Sequence, residues 1–129
     1  MRGLIDRIFD LLSTGCVVEV GTANNWKYKK YSDGTYEGVY TLQHTGININ
    51  QGPSNGEYYS ADIWVAYKPV FSKTVDGVLG TPFAGSMSSG PRIYRIVVDS
   101  NDVVRCQFRA QASITNVNVQ VAYKIWGTW

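Results

Sequence analysis

The closing stretch "ITNVNVQVAYKIWGTW" alternates with period two. Val117, Val119, Val121, Tyr123 and Ile125 fall on one side, and Asn118, Gln120, Ala122, Lys124 and Trp126 on the other. A strand turns successive side chains to opposite faces, so this pattern demands a sheet with one buried and one polar face. From Gly15 onward the chain repeats the theme in short alternating segments separated by Gly, Asn, Asp, Ser and Pro. That punctuation belongs to an antiparallel sandwich. The expected fold class is all-β: an antiparallel, jelly-roll-like β-sandwich over residues 15–129, preceded by a short N-terminal amphipathic helix. The abundance of aromatic residues, nine Tyr and four Trp among 129 residues, agrees with strands.

The segments can be assigned in turn. "CVVEV" is a first short strand. "WKYKKY" and "TYEGVYTL" form a hairpin across "SDGT", where Gly34 supplies a positive φ. "YYSADIWVAYKPVF" reads as one long strand with Pro69 near its end or at an edge. "RIYRIVV" and "VVRCQFRAQA" pair across "DSND". Two stretches read as loops instead, residues 46–57 ("GININQGPSNGE") and 72–91 ("SKTVDGVLGTPFAGSMSSGP"). At the other end, Leu4, Ile5, Ile8, Phe9, Leu11 and Leu12 recur at helical spacing over residues 3–13, and Ser13-Thr14-Gly15 supplies a stop. Ile5, Ile8 and Leu12 also have the spacing of a coiled-coil seam, so segment 1–14 is either a helix packed on its own domain or an oligomerisation or stalk segment.

Bulk chemistry excludes several function classes. A net charge of +2, with Lys27, Lys29 and Lys30 the main basic cluster, implies no nucleic-acid partner. Acids interrupt the apolar N-terminal stretch, so neither membrane insertion nor an ordinary signal peptide is expected. Cys16 and Cys106 are too few for a disulfide framework and are expected as buried free thiols. One His and no Cys cluster leave no metal site, and no cofactor motif is present.

Catalysis finds little support either. Glu19, Glu37, Glu57 and Asp62 lie on expected strands, and nothing in the linear sequence joins any two into the carboxylate pair a glycosidase needs. His44 has no Gly-x-Ser-x-Gly elbow to serve. "SDG" and "DSND" offer too few oxygens for calcium and read as turns. The chain is therefore not expected to be an enzyme. Its remaining chemistry is aromatic and amide: rings match the apolar faces of sugars, and Asn and Gln match their hydroxyls. Asn48, Asn50, Gln51 and Asn55, close in sequence to Tyr58 and Tyr59, are the candidate ligand-binding residues for a carbohydrate.

The segment "VVEVGTANNWKYKKYSDGTYEGVYT" resembles a motif of the C-terminal head domains of tail fibres and minor tail proteins from phages and prophages. The matching residues are Glu19, Gly21, Trp26, Tyr28, Lys30, Gly34 and Glu37, and the closing strand ending "IWGTW" is similar to the end of such domains. The resemblance implies a homotrimeric β-sandwich at a fibre tip, assembled in the host cytoplasm, joined to other virion or tail proteins and binding a host cell-surface glycan. It further implies that the motif is scaffold, with Lys30 pairing with Glu37 or covering a ring, and that binding falls to residues 46–57 and 72–91. Two other classes compete with it. One is a purely structural virion part making protein contacts only; the other is a small depolymerase using Glu37 and Glu57.

Overall fold

The computed structural model describes residues 16–85 and 91–129. The expected helix over residues 3–13, with Ile5, Ile8 and Leu12, lies outside them. Among the described residues every regular element is a strand: β1 (Val17–Ala23), β2 (Trp26–Tyr31), β3 (Thr35–Ile49), β4 (Gln51–Ser54), β5 (Glu57–Tyr59), β6 (Ile63–Tyr67), β7 (Thr74–Gly85), β8 (Arg92–Val98), β9 (Val103–Ala110) and β10 (Ile114–Thr128).

They form two antiparallel sheets. The first has the order β1-β2-β3-β10-β7. In the second, β9 is central: β8 runs along one edge, while β5 and β6 follow one another along the other and β4 pairs with β5. The two sheets share one core. Trp26, Tyr36, Val121, Tyr123 and Ile125 from the first meet Val65, Val104, Cys106 and Phe108 from the second, all nearly sealed from solvent. The alternation of β10 is realised as read, with Val117, Val119, Val121, Tyr123 and Ile125 buried and their neighbours turned outward.

Local chemistry fixes the turns. Asn24 and Asn25 both take positive φ between β1 and β2, as do Asn55 and Gly56 between β4 and β5, the backbone that matches strand twist in a two-residue hairpin. At the β2–β3 turn Gly34 has φ +88°, and Asp33 accepts hydrogen bonds from the amide and hydroxyl of Thr35. Asp99 closes the β8–β9 turn by accepting from the amides of Asn101 and Val103. Both acidic turns therefore use their carboxylates on the backbone, as expected.

The described structure corrects four expectations. Residues 72–91 are not a loop up to Gly85: β7 pairs along the length of β10. Residues 46–57 are not a long loop but the end of β3 and a small hairpin, β4–β5. The single strand expected over residues 58–71 is split at Ser60, whose amide still donates to the Phe108 carbonyl but whose Oγ, in place of its carbonyl, accepts the amide proton of Phe108. Cys16 is half-exposed, whereas Cys106 is buried as expected.

Glu19, Gly21, Tyr28 and Lys30 gather into one tie. Tyr28 reaches across Gly21 and donates to Glu19 (2.7 Å), and a Cβ on Gly21 would sit 2.8 Å from that hydroxyl, so only glycine lets the ring through. Lys30 pairs with Glu19 at 3.0 Å, not with Glu37, and its ammonium lies 4.5 Å from the Phe71 ring centre and 4.9 Å from that of Trp129. Trp26 is fully buried and donates to the carbonyl of Tyr67. The tie joins β1 and β2 to Phe71 and Trp129, beyond the ends of β6 and β10.

Candidate functional site

On the outer face of the first sheet, cross-strand registry sets Lys29, Glu37, Trp126 and Gly77 side by side, with Lys27, Val39, Lys124 and Leu79 in the adjoining row. A groove of about 480 Å³ opens there, edged by Tyr31, Glu37, Asp76, Leu79, Lys124 and Trp126. Its floor depends on one absent side chain: a Cβ on Gly77 would overlap the Trp126 indole, so the ring lies flat across that glycine. Trp126 is half-exposed and Leu79 is 58% exposed. A second depression, about 390 Å³, adjoins on the same face between Lys27, Val39 and Thr41.

The groove's polar rim is fixed in advance. Tyr31 donates to one oxygen of Glu37 (2.6 Å), and Lys124 lies 3.3 Å from the other. The Tyr31 hydrogen bond, aided by Lys124 and opposed by partial burial, holds the Glu37 carboxyl below the usual carboxylate range. Glu37 is thus an ionised acceptor at neutral pH, unsuited to donating a proton. Asp76 adds further acceptor oxygens and accepts from Thr74. A flat ring beside carboxylate acceptors and an ammonium donor can hold a flat, hydroxyl-bearing ligand.

The residues expected to bind are divided by the fold. Asn48, Asn50 and Gln51 come together around a depression of about 300 Å³ with Ser60, Ala61 and Ile63. One amide is already engaged, since Asn48 accepts from the Asn116 backbone. Asn55 sits at the tip of the β4–β5 turn, Tyr58 packs against the core, and Tyr59 turns outward beside Arg109. Neither tyrosine lines the amide depression.

The four acids read from the sequence stay apart, each with its own cation. Glu19 pairs with Lys30, Glu37 with Lys124, Glu57 with Arg92 and Asp62 with Arg95. Glu37 and Glu57 belong to different sheets. His44 lies within β3, buried, with Nε2 2.6 Å from the Tyr123 hydroxyl, which in turn lies 3.2 Å from Cys106 Sγ. Burial pushes the Cys106 thiol up to about 11, keeps Tyr123 protonated and lowers the His44 pKa. This chain of polar groups is sealed in the core, where its members satisfy one another. Among the described residues no cluster of His, Cys, Asp or Glu suits a metal, and no helix is long and apolar enough to cross a membrane.

The groove escaped sequence reasoning because four strands from distant segments build it. One signal was present: Trp126 occupies the polar side of β10's alternation, an unusual place for the largest side chain. No known protein family, curated protein or solved structure matches the chain.

Proposed function

We propose that the chain is the receptor-binding head of a phage or prophage tail fibre: a jelly-roll-like β-sandwich, carried on the virion as a homotrimer, that attaches to host cell-surface carbohydrate without catalysis. The observation that carries this reading is the groove at Trp126. An indole set flat on Gly77, between an ionised Glu37, Asp76 and Lys124, offers an apolar face and fixed hydrogen-bonding partners, which is the chemistry a pyranose ring presents in reverse. The shallow form of the site is compatible with weak contacts multiplied by copies of the chain, which raise avidity by about 10² to 10⁴. The edge strand β1 adds support, since Val17, Val18 and Val20 are 48%, 52% and 65% exposed and offer apolar surface to a neighbouring subunit or another tail protein.

The test is a screen of bacterial surface saccharides followed by calorimetric titration of the best hit. Trp126→Ala is expected to lower affinity roughly tenfold, the effect of about 1.4 kcal/mol of lost ring contact. Absence of any saccharide hit, together with tight binding to a tail component, would replace this reading with that of a structural virion part.

A further inference from the structure

The outer face of the second sheet carries a different chemistry. Four arginines project from β8 and β9, and three are each held by a carboxylate. Arg92 donates from Nη2 to both oxygens of Glu57 (2.8 and 2.5 Å), Arg95 to both oxygens of Asp62 (3.1 and 3.0 Å), and Arg105 through Nε to Asp99 (2.8 Å). Arg109 is the exception. No acceptor among the described residues meets it, and its Nε is shut off from solvent without a hydrogen bond.

Its position is nevertheless fixed. On β9, Arg109 is paired across the ladder with Tyr59 on one side and Arg92 on the other, and its buried neighbours Phe108 and Ala110 place it on the outer face. The guanidinium lies 3.6 Å from the centre of the Tyr94 ring and 5.8 Å from that of Tyr59. Tyr94 is 47% exposed, projecting at the irregularity between Ile93 and Arg95. Stacking on a ring holds the plane of the fork without using its hydrogens. Glu57 is held ionised first by the hydrogen bonds of Arg92; it also feels the charge of Arg109, but no hydrogen bond or ion pair joins the two.

We propose that Arg109, with Tyr94 and Tyr59, is a binding site for the carboxylate of an acidic saccharide such as a uronic acid residue. The proposal rests on the carbohydrate reading for its ligand class, but it names another face and another group of the ligand. A planar fork with unused donors matches a carboxylate bidentately, and two tyrosine rings beside it provide contact area for the sugar that bears it.

The experiment compares methyl glucuronoside, methyl glucoside and acetate by titration monitored with amide chemical shifts. The wild-type chain is expected to bind the glucuronoside at least tenfold more tightly than the glucoside, with shifts at Tyr59, Tyr94 and Arg109. Arg109→Gln should abolish that difference, and Arg109→Lys, which keeps the charge but not the fork, should retain only part of it. Tyr94→Ala should weaken glucuronoside binding in a chain whose Arg109 is unaltered. Trp126→Ala should leave the glucuronoside-induced shifts at Tyr59, Tyr94 and Arg109 unchanged, which separates this site from the groove. Equal binding of the two glycosides, a preference that survives Arg109→Gln, or acetate binding as tightly as the glucuronoside would each overturn the proposal. So would a change in solution mass on Arg109→Gln, which would assign the fork to a contact between copies.

Discussion

Gly77 and His44 show how much single side chains decide here. A methyl at residue 77 would overlap the Trp126 indole, so Gly77→Ala must tilt the ring out of the groove. It is expected to lower saccharide affinity as far as Trp126→Ala does and to cost about 1–3 kcal/mol in stability, the usual range for overpacking, both readable from one calorimetric and one thermal series. His44 is the only imidazole in the chain, and burial lowers its pKa in the folded state. Above the unfolded value of about 6.5 neither state binds the proton, so its stability contribution is complete there. As pH falls through that value the unfolded state protonates first, and stability declines until the lower folded pKa is passed. Urea midpoints should therefore drop between pH 7.5 and 5.5, and His44→Gln should flatten that slope. Carboxylates held low, such as Glu37 and Asp99, act in a separate and more acidic window, losing their contribution as pH falls through their depressed folded values.

At the level of strands, β10 is the element on which the first sheet depends, since it pairs with β3 on one side and β7 on the other. Ile125→Ala, at a fully buried position, is expected to cost about 2–5 kcal/mol, whereas Leu79→Ala on the outer face of β7 should stay within about 0.5 kcal/mol; urea unfolding distinguishes them. The β2–β3 hairpin, the β8–β9 hairpin and β10 were legible because strict alternation flanks turn residues with a clear backbone role. β7 was hidden by its own glycines. Gly77 is required under Trp126, and a Cβ on Gly80 would press on Ile93, Ile96 and Tyr123, so residues that look like loop punctuation are there to admit neighbours from other strands. The break between β5 and β6 was equally invisible, because Ser60 substitutes its hydroxyl for a ladder contact only once Phe108 is beside it. Asn48, Asn50 and Gln51 line one depression without Asn55, and Tyr58 and Tyr59, expected beside them, turn to the core and to Arg109, while the ring at the groove is Trp126, which only registry across four strands brings to Glu37.

For the whole molecule, the number of copies that act together decides how the sites work. Light scattering on the full chain is expected to give three times the 14.4 kDa chain mass, and a version lacking residues 1–14 should still give three times its own, smaller chain mass if the β domain makes the interface. A monomer in both forms would remove the trimeric fibre head. The exposed valines of β1 make that strand the first place to look for the contact, and Val20→Lys is the variant that should weaken it.

The contrast between the two thiols has a practical consequence for such work. Cys106 is enclosed against Tyr123 and kept as the thiol by burial, while Cys16 is half-exposed just before β1. A maleimide dye added to the folded protein near neutral pH should therefore couple once per chain, at Cys16, and denaturant should reveal the second equivalent. The Cys16 carbonyl accepts the Ser32 amide, one residue from Tyr31 of the groove and directly before the exposed valines of β1, so one fluorophore there would report both subunit exchange, by energy transfer, and occupancy of the groove's edge, while Arg109 on the other sheet stays unmodified.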